Sequence, residues 1–527
     1  MSTTRQPIGR LVAVVLVISA LPLTAQERAA VVRRDLRLID AVREQDRGRA
    51  LTLIKQGIDV NVAQPDGATA LHWAVHWEDV ELVDRLLAAK AKPNLANDLG
   101  ITPIVMAATA GNGQLVEKLL AAGADASASL ESGETALMLS ARAGSEAGVT
   151  ALLARGARVD AREGTRGQTA LMWAIANKHP TVTRILLDHG ADIHIRSEIR
   201  TLVYNMGGNR SAGSAAADTP LEEVPLGGST PIMFAARSGD LESARMLVAK
   251  GANVNDTEAD GNTALIVAAH SGHGTLAAFL LDQGADAKAA PLGYTALHAA
   301  VLRGTLRDRG VQNDDPGAGV PLVRALLAHG ADPNARVTKG TPVRRWSHDF
   351  ALLERWTGAT PLWLAARFLE LDMVRVLAAR GADVHLTARD GTTPLMAAAG
   401  TGYSRASGTE AFIKDRRDFS SYNSESFAVA TRIPPEEERQ VIEALRTLID
   451  LGADVNRPNA AGDTAVHAAA ALGMTTVISF LAERGADLSP KNKAGRSPID
   501  VARRDDGVGF SVVREETVAV LRKLGAR

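Results

Sequence analysis

Histidine pairs offer the first candidate chemistry. His72 and His76 are four residues apart, and His270 and His273 three apart. On a helix either spacing puts two imidazoles on one face, where they could share a metal. Neither pair has a third ligand at a motif spacing, so no metal site is expected. The chain has no cysteine, which excludes a disulfide framework, a thiolate metal site, covalently attached c-type haem and a cysteine nucleophile. Gly207-Gly208 lacks the Lys-Ser/Thr of a phosphate loop, and neither Gly-x-Ser-x-Gly nor His-Glu-x-x-His occurs. His348-Asp349 are adjacent, and adjacent helical residues point apart, a poor geometry for a dyad. Glu436-Glu437-Glu438 reads as solvated helix charge. The expectation is a protein without catalysis and without a cofactor.

Composition narrows the class. The 527 residues carry 59 Lys+Arg against 60 Asp+Glu, a formal net charge of −1, which argues against a general nucleic-acid partner. A hydrophobic content of 46% is too high for a disordered chain. Aromatics at 4% and 47 glycines suggest small residues packed between close elements. Residues 1–25 read as a signal peptide, with Arg5 and Arg10 before the apolar run Leu11 to Leu23, and Ala25 at the cleavage point. That run is shorter than the ~20 residues of a transmembrane helix. The mature chain is therefore expected to be exported to the periplasm or secreted, without a stable membrane anchor.

The elements that position everything else repeat. Thr or Ser followed by Ala or Pro and an apolar residue recurs at 69, 102, 135, 169, 230, 263, 295, 360, 393, 464 and 497, mostly 32 to 34 apart. Gly-Ala-(Asp/Asn) recurs in phase at Gly123, Gly190, Gly251, Gly284, Gly330, Gly381, Gly452 and Gly485, and the same slot holds Lys90. Each unit reads as a short apolar helix, a polar break, an amphipathic helix ending at Gly, and a Gly-containing turn such as Asp66-Gly67. Two short helices cannot bury their apolar faces alone, but stacked neighbours can. The predicted fold is an all-α repeat solenoid of helix-turn-helix units with hairpin fingers.

These units resemble ankyrin repeats. The helix-opening Thr-Pro-Leu-His-x-Ala of that family is matched by Thr69-Ala70-Leu71-His72-Trp73-Ala74, Thr295-Ala296-Leu297-His298-Ala299-Ala300 and Thr464-Ala465-Val466-His467-Ala468-Ala469. Gly452-Ala453-Asp454-Val455-Asn456 matches its Gly-Ala-Asp-Val-Asn. The resemblance covers about residues 35 to 527: a capping repeat at 35–65, an array over 66–494 and a closing cap at 495–527, about twelve units. It implies that His72 caps backbone groups rather than binding metal. It also implies that partners are gripped by finger tips and by the last positions of each first helix. Those positions hold His76 and Trp77, Arg142, Arg237, Arg303, and Arg367 with Phe368. The column has arginines and no acid, so an acidic or extended protein partner is expected.

Four insertions break the period, at about 197–227, 304–320, 337–358 and 403–438. The first two read as flexible loop. The last two carry aromatics and arginines, the residues that anchor interfaces. Arg344, Arg345, Trp346 and Trp356 are the leading candidates for a partner contact. The function expected is a monomeric, non-catalytic protein-binding scaffold. A small-ligand or glycan binder clamping its ligand between Trp346 and Trp356 is the alternative, and an enzyme a distant third.

Overall fold

The computed structural model describes residues 35–205, 221–304, 315–339, 356–400, 433, 435–503 and 515–527. The segment read as a signal peptide lies outside them, as do residues 340–355 and 401–432. The chain divides into two compact units, residues 1–103 and 104–527.

In the first unit, α1 (Arg37–Arg43) and α2 (Arg47–Lys55) form one helical pair, and α3 (Ala70–His76) and α4 (Val80–Ala88) the next. First helix packs on first helix and second on second. Leu38, Ile39, Leu71, Leu82 and Leu86 close the core between them. Asp46 and Asp79 begin the second helices by accepting from Arg49 N (2.9 Å) and Leu82 N (3.0 Å), so two otherwise orphaned amides are satisfied. Lys90 ends α4 with φ +70°, the left-handed conformation that glycine supplies in the other repeats. A side chain there costs about 1 kcal/mol. Lys90→Gly should therefore raise stability by roughly that amount, read as a higher urea midpoint at unchanged slope.

The second unit repeats the plan. Its pairs include α5 (Pro103–Ala110) with α6 (Gly113–Ala121), α7 (Ala136–Arg142) with α8 (Glu146–Ala154), and α9 (Ala170–Ala176) with α10 (Pro180–Asp188). Pairing continues through Pro231–Ser238 and Leu241–Ala249, and Ala264–Ser271 and Gly274–Asp282, down to Pro498–Ala502 and Glu515–Lys523. The repeated Thr earns its place at the helix start: Thr135, Thr263, Thr360 and Thr393 Oγ1 each accept from the amide three residues on, at 3.1 to 3.2 Å. Where an Asn stands four residues after the Gly that ends a second helix, it ties that repeat to the next. Asn255 Nδ2 donates to Gly284 O (3.2 Å) while its Oδ1 accepts from Asp286 N (2.9 Å), and Asn456 does the same with Gly485 and Asp487.

Two sequence expectations are corrected here. The 197–227 insertion is not loop throughout: β1 (Arg200–Asn205) pairs antiparallel with β2 (Leu221–Leu226). Other fingers show single bridges, such as Ala63 with Thr69 and Thr257 with Thr263. The strands were hidden because a Gly/Ser-rich stretch separates them and the second, Leu221–Leu226, carries two Glu and a Pro, residues depleted in strands. Glu438 is not solvated either. It is 1% exposed and accepts from Thr476 N (2.9 Å), capping Thr475–Glu483 from the preceding second helix, Pro435–Asp450.

Candidate protein-interaction surface

The histidines divide by role. In the first unit Thr69 N donates to His72 Nδ1 (3.1 Å), so Nδ1 is the acceptor and Nε2–H donates to Ile101 O (3.1 Å). His467 repeats this with Thr464 N and Arg496 O. His298 accepts from Thr295 N (3.2 Å) in the same way, and complete burial pushes its pKa down to about 4. At the equivalent point of Pro361–Arg367 stands Trp363, whose Nε1 donates to Thr392 O (2.9 Å). An indole thus reaches the carbonyl that an imidazole reaches in other repeats. His273 begins Gly274–Asp282 and donates from Nε2 to Arg237 O (3.2 Å). These rings are fastenings, and among the described residues no group of three His, Asp or Glu side chains is placed to hold a metal.

At the end of α3 the first unit presents an aromatic cluster. Trp73 and Trp77 lie one turn apart with ring centroids at 6.5 Å, and His76 meets both edge-on, at 5.7 and 4.7 Å. Trp73 is fixed by Nε1 donating to Gln64 Oε1 (2.9 Å), whereas Trp77 remains 41% exposed. In the same unit Leu99, on the turn closed by Gly100 N to Asn97 O, is 70% exposed.

The arginine column is less uniform than its sequence suggests. Arg142 is exposed, with its guanidinium 5.1 Å from the Trp173 ring centroid. Arg237 is also exposed, but it is paired with Glu258 and leans on Phe234. Arg303 lies on Ala296–Gly304, and its side chain is outside the described residues, as are Arg344, Arg345 and Trp346.

Three candidates are corrected. Trp356 (3%), Arg367 (6%) and Phe368 (1%) are buried, not offered to a partner. Trp356 packs on Trp363 and Phe368, and Arg367 lies 5.4 Å from the Trp356 ring and 5.9 Å from that of Trp363. The ends of the insertion are drawn together by Val337 N to Ala359 O (2.9 Å) and Gly358 N to Val337 O (2.7 Å), which turns Trp356 into the core. A glycan clamp that needs Trp356 loses one of its two jaws. A cavity of about 370 Å³ opens elsewhere, between the starts of Val320–Ala328 and Leu371–Ala378 and the flank of Pro435–Asp450; acids and aliphatic groups line it, with no aromatic ring.

Models of ankyrin repeats in three copies match residues 38–129, 104–197, 217–290 and 232–337, and the single-repeat model matches 357–389, together more than half of the chain. The chain belongs to the ankyrin repeat family. Curated relatives include human ankyrin repeat and SOCS box protein 16, 34% identical over 245 residues, which are 45% of this chain and 46% of that protein. Zygote-specific protein 3 of Chlamydomonas reinhardtii is 32% identical over 144 residues (26% of this chain, 35% of that protein). The mouse nuclear factor NF-kappa-B p105 subunit is 31% identical over 163 residues (29% and 13%). The chain thus spans less than half the length of each. Ankyrin repeats mediate protein–protein interaction, and among the described residues no helix is long and apolar enough to cross a membrane.

Proposed function

We propose that this ankyrin repeat chain is an exported, non-catalytic scaffold that binds another protein through its first-helix ends and fingers. One observation carries the choice of surface. Of seven exposed large apolar side chains among the described residues, five (Trp77, Leu99, Ile199, Leu202 and Val203) sit on a first-helix end or a finger; the other two, Leu451 and Leu524, follow second helices. That distribution favours first-helix ends and fingers as the contact elements in each unit. Trp77 supplies a large anchor of low conformational cost, held by Trp73 and His76. Export rests on Arg5, Arg10 and the run Leu11 to Leu23. Proteins of the exported compartment should be captured by the immobilised mature chain. Trp77→Ala should weaken capture of the bound protein about tenfold, the scale of an anchor of ~1.4 kcal/mol. Undiminished capture by Trp77→Ala and Leu99→Ala together would count against this surface in the first unit.

A further inference from the structure

The 200–226 arm has two edges, and they are not alike. A proline nitrogen has no hydrogen, so Pro225 fits the ladder only where its nitrogen faces away from β1. That makes Arg200–Leu226 and Leu202–Val224 the bonded pairs. The N–H and C=O groups of Thr201 and Val203 then point outward from β1, while the outer edge of β2 is blunted by Pro225 itself. Natural edges are usually protected by charge, proline or a covering segment. Here Ile199, just before β1, is 59% exposed, and Leu202 (43%) and Val203 (59%) are exposed within it. Beside this edge lies the finger of the preceding repeat, joined to it by Glu198 N to Arg166 O (2.7 Å). Arg166 and Arg200 are exposed and pair with no carboxylate among the described residues; the neighbouring Glu198 offsets part of their charge.

Resting on the scaffold reading above, we propose that the outer edge of β1 accepts one strand of the partner: an extended segment alternating β-branched and acidic residues. The backbone of that segment bonds to Thr201 and Val203. Its apolar side chains lie on the face of Val203, and its carboxylates on the opposite face, which carries Arg200 and Leu202. Backbone pairing gives the affinity, and the side chains give the selectivity. An acidic segment fits this edge because Arg166 and Arg200 pair with no carboxylate among the described residues.

The test uses the full mature chain and a blocked, dye-labelled peptide, Glu-Val-Thr-Val-Glu-Val, with a Lys-for-Glu counterpart, read by fluorescence anisotropy. Val203→Pro removes an outward amide without touching a ladder bond, copying on β1 what Pro225 does on β2. Arg200→Glu leaves the backbone intact and reverses the charge. The expected result is saturable binding of the Glu peptide, weakened at least tenfold by either substitution and at least tenfold in the Lys peptide. No saturable binding to the wild-type chain, or equal binding by Val203→Pro and wild type, overturns the proposal. A natural partner captured equally by wild type and Val203→Pro also overturns it while leaving the scaffold reading standing.

Discussion

Lowering the pH from 7 to about 4.5 is expected to remove roughly 2 kcal/mol of stability through His298 alone. Its imidazole is completely enclosed, and burial holds its pKa near 4, against 6.5 for an ordinary histidine. The carbonyls of Ala335 and Ala359 and the charge of Asp332 act in the opposite direction and are outweighed. Thr295 N donates to Nδ1, an interaction that a protonated ring would lose. The unfolded chain therefore takes up this proton first as pH falls. Stability from this group is complete above about 6.5, declines through the interval and is lost below about 4. The full difference of about 2.5 units, at ~1.4 kcal/mol each, is ~3.5 kcal/mol, of which roughly two thirds falls between pH 7 and 4.5. His298→Met is the control, because Met138, Met172, Met233 and Met396 occupy the same slot in other repeats. Urea midpoints between pH 7 and 4.5 should fall much less in that variant, the remaining slope including His72, whose pKa burial also lowers. An equal fall in both proteins would exclude His298 as the source.

Gly227→Ala should cost about 3 kcal/mol, concentrated at the base of the 200–226 arm. Gly227 has φ +99°, which strains any side chain by ~1–2 kcal/mol. The added Cβ would also lie 2.0 Å from Glu198 O, a backbone atom that cannot turn aside. Forcing that overlap apart adds ~1–3 kcal/mol. It pushes Glu198 away from Arg166 O and disturbs Gly227 O as acceptor for Ala259 N, so both neighbouring fingers feel it. Gly228→Ala is the paired control. It shares a positive φ, +67°, but its nearest contact would be 3.3 Å, so it should cost about 1 kcal/mol. Hydrogen exchange of residues 198–203 should accelerate strongly in Gly227→Ala and weakly in Gly228→Ala. Similar protection in both would mean that the close approach to Glu198 does not hold the arm.

Much of the fold was legible because each repeat solves the same problem with the same residues. Thr caps the first helix, His or Met fills the third position behind it, Gly ends the second helix and Asn clamps the next repeat. The exposed pair His76 and Trp77 was legible for the same reason, since the phase alone puts it at a helix end. Leu99 and the edge of β1 were missed. Leu99 sits in an Asn-Asp-Leu-Gly turn, where an apolar residue among turn formers was the available signal. Trp356 misled because an aromatic within an insertion reads alike whether it turns inward or outward. Its direction is set by the bonds Val337 makes across the insertion. Arg367 shared the helix-end position of Arg142, yet one is enclosed by two indoles and the other lies open. Periodicity places a residue on a helix, but the neighbours across the stack decide its exposure.

The claim that first-helix ends and fingers are the contact surface can be tested by hydrogen exchange of the chain, alone and with a captured partner. The account predicts slower exchange at residues 73–77 and 97–101 in the first unit, and at 142–144, 163–167 and 199–203 in the second. The second helices, such as Val80–Ala88 and Leu241–Ala249, should be unchanged. Protection confined to those second helices, with the first-helix ends and fingers unaltered, would contradict it.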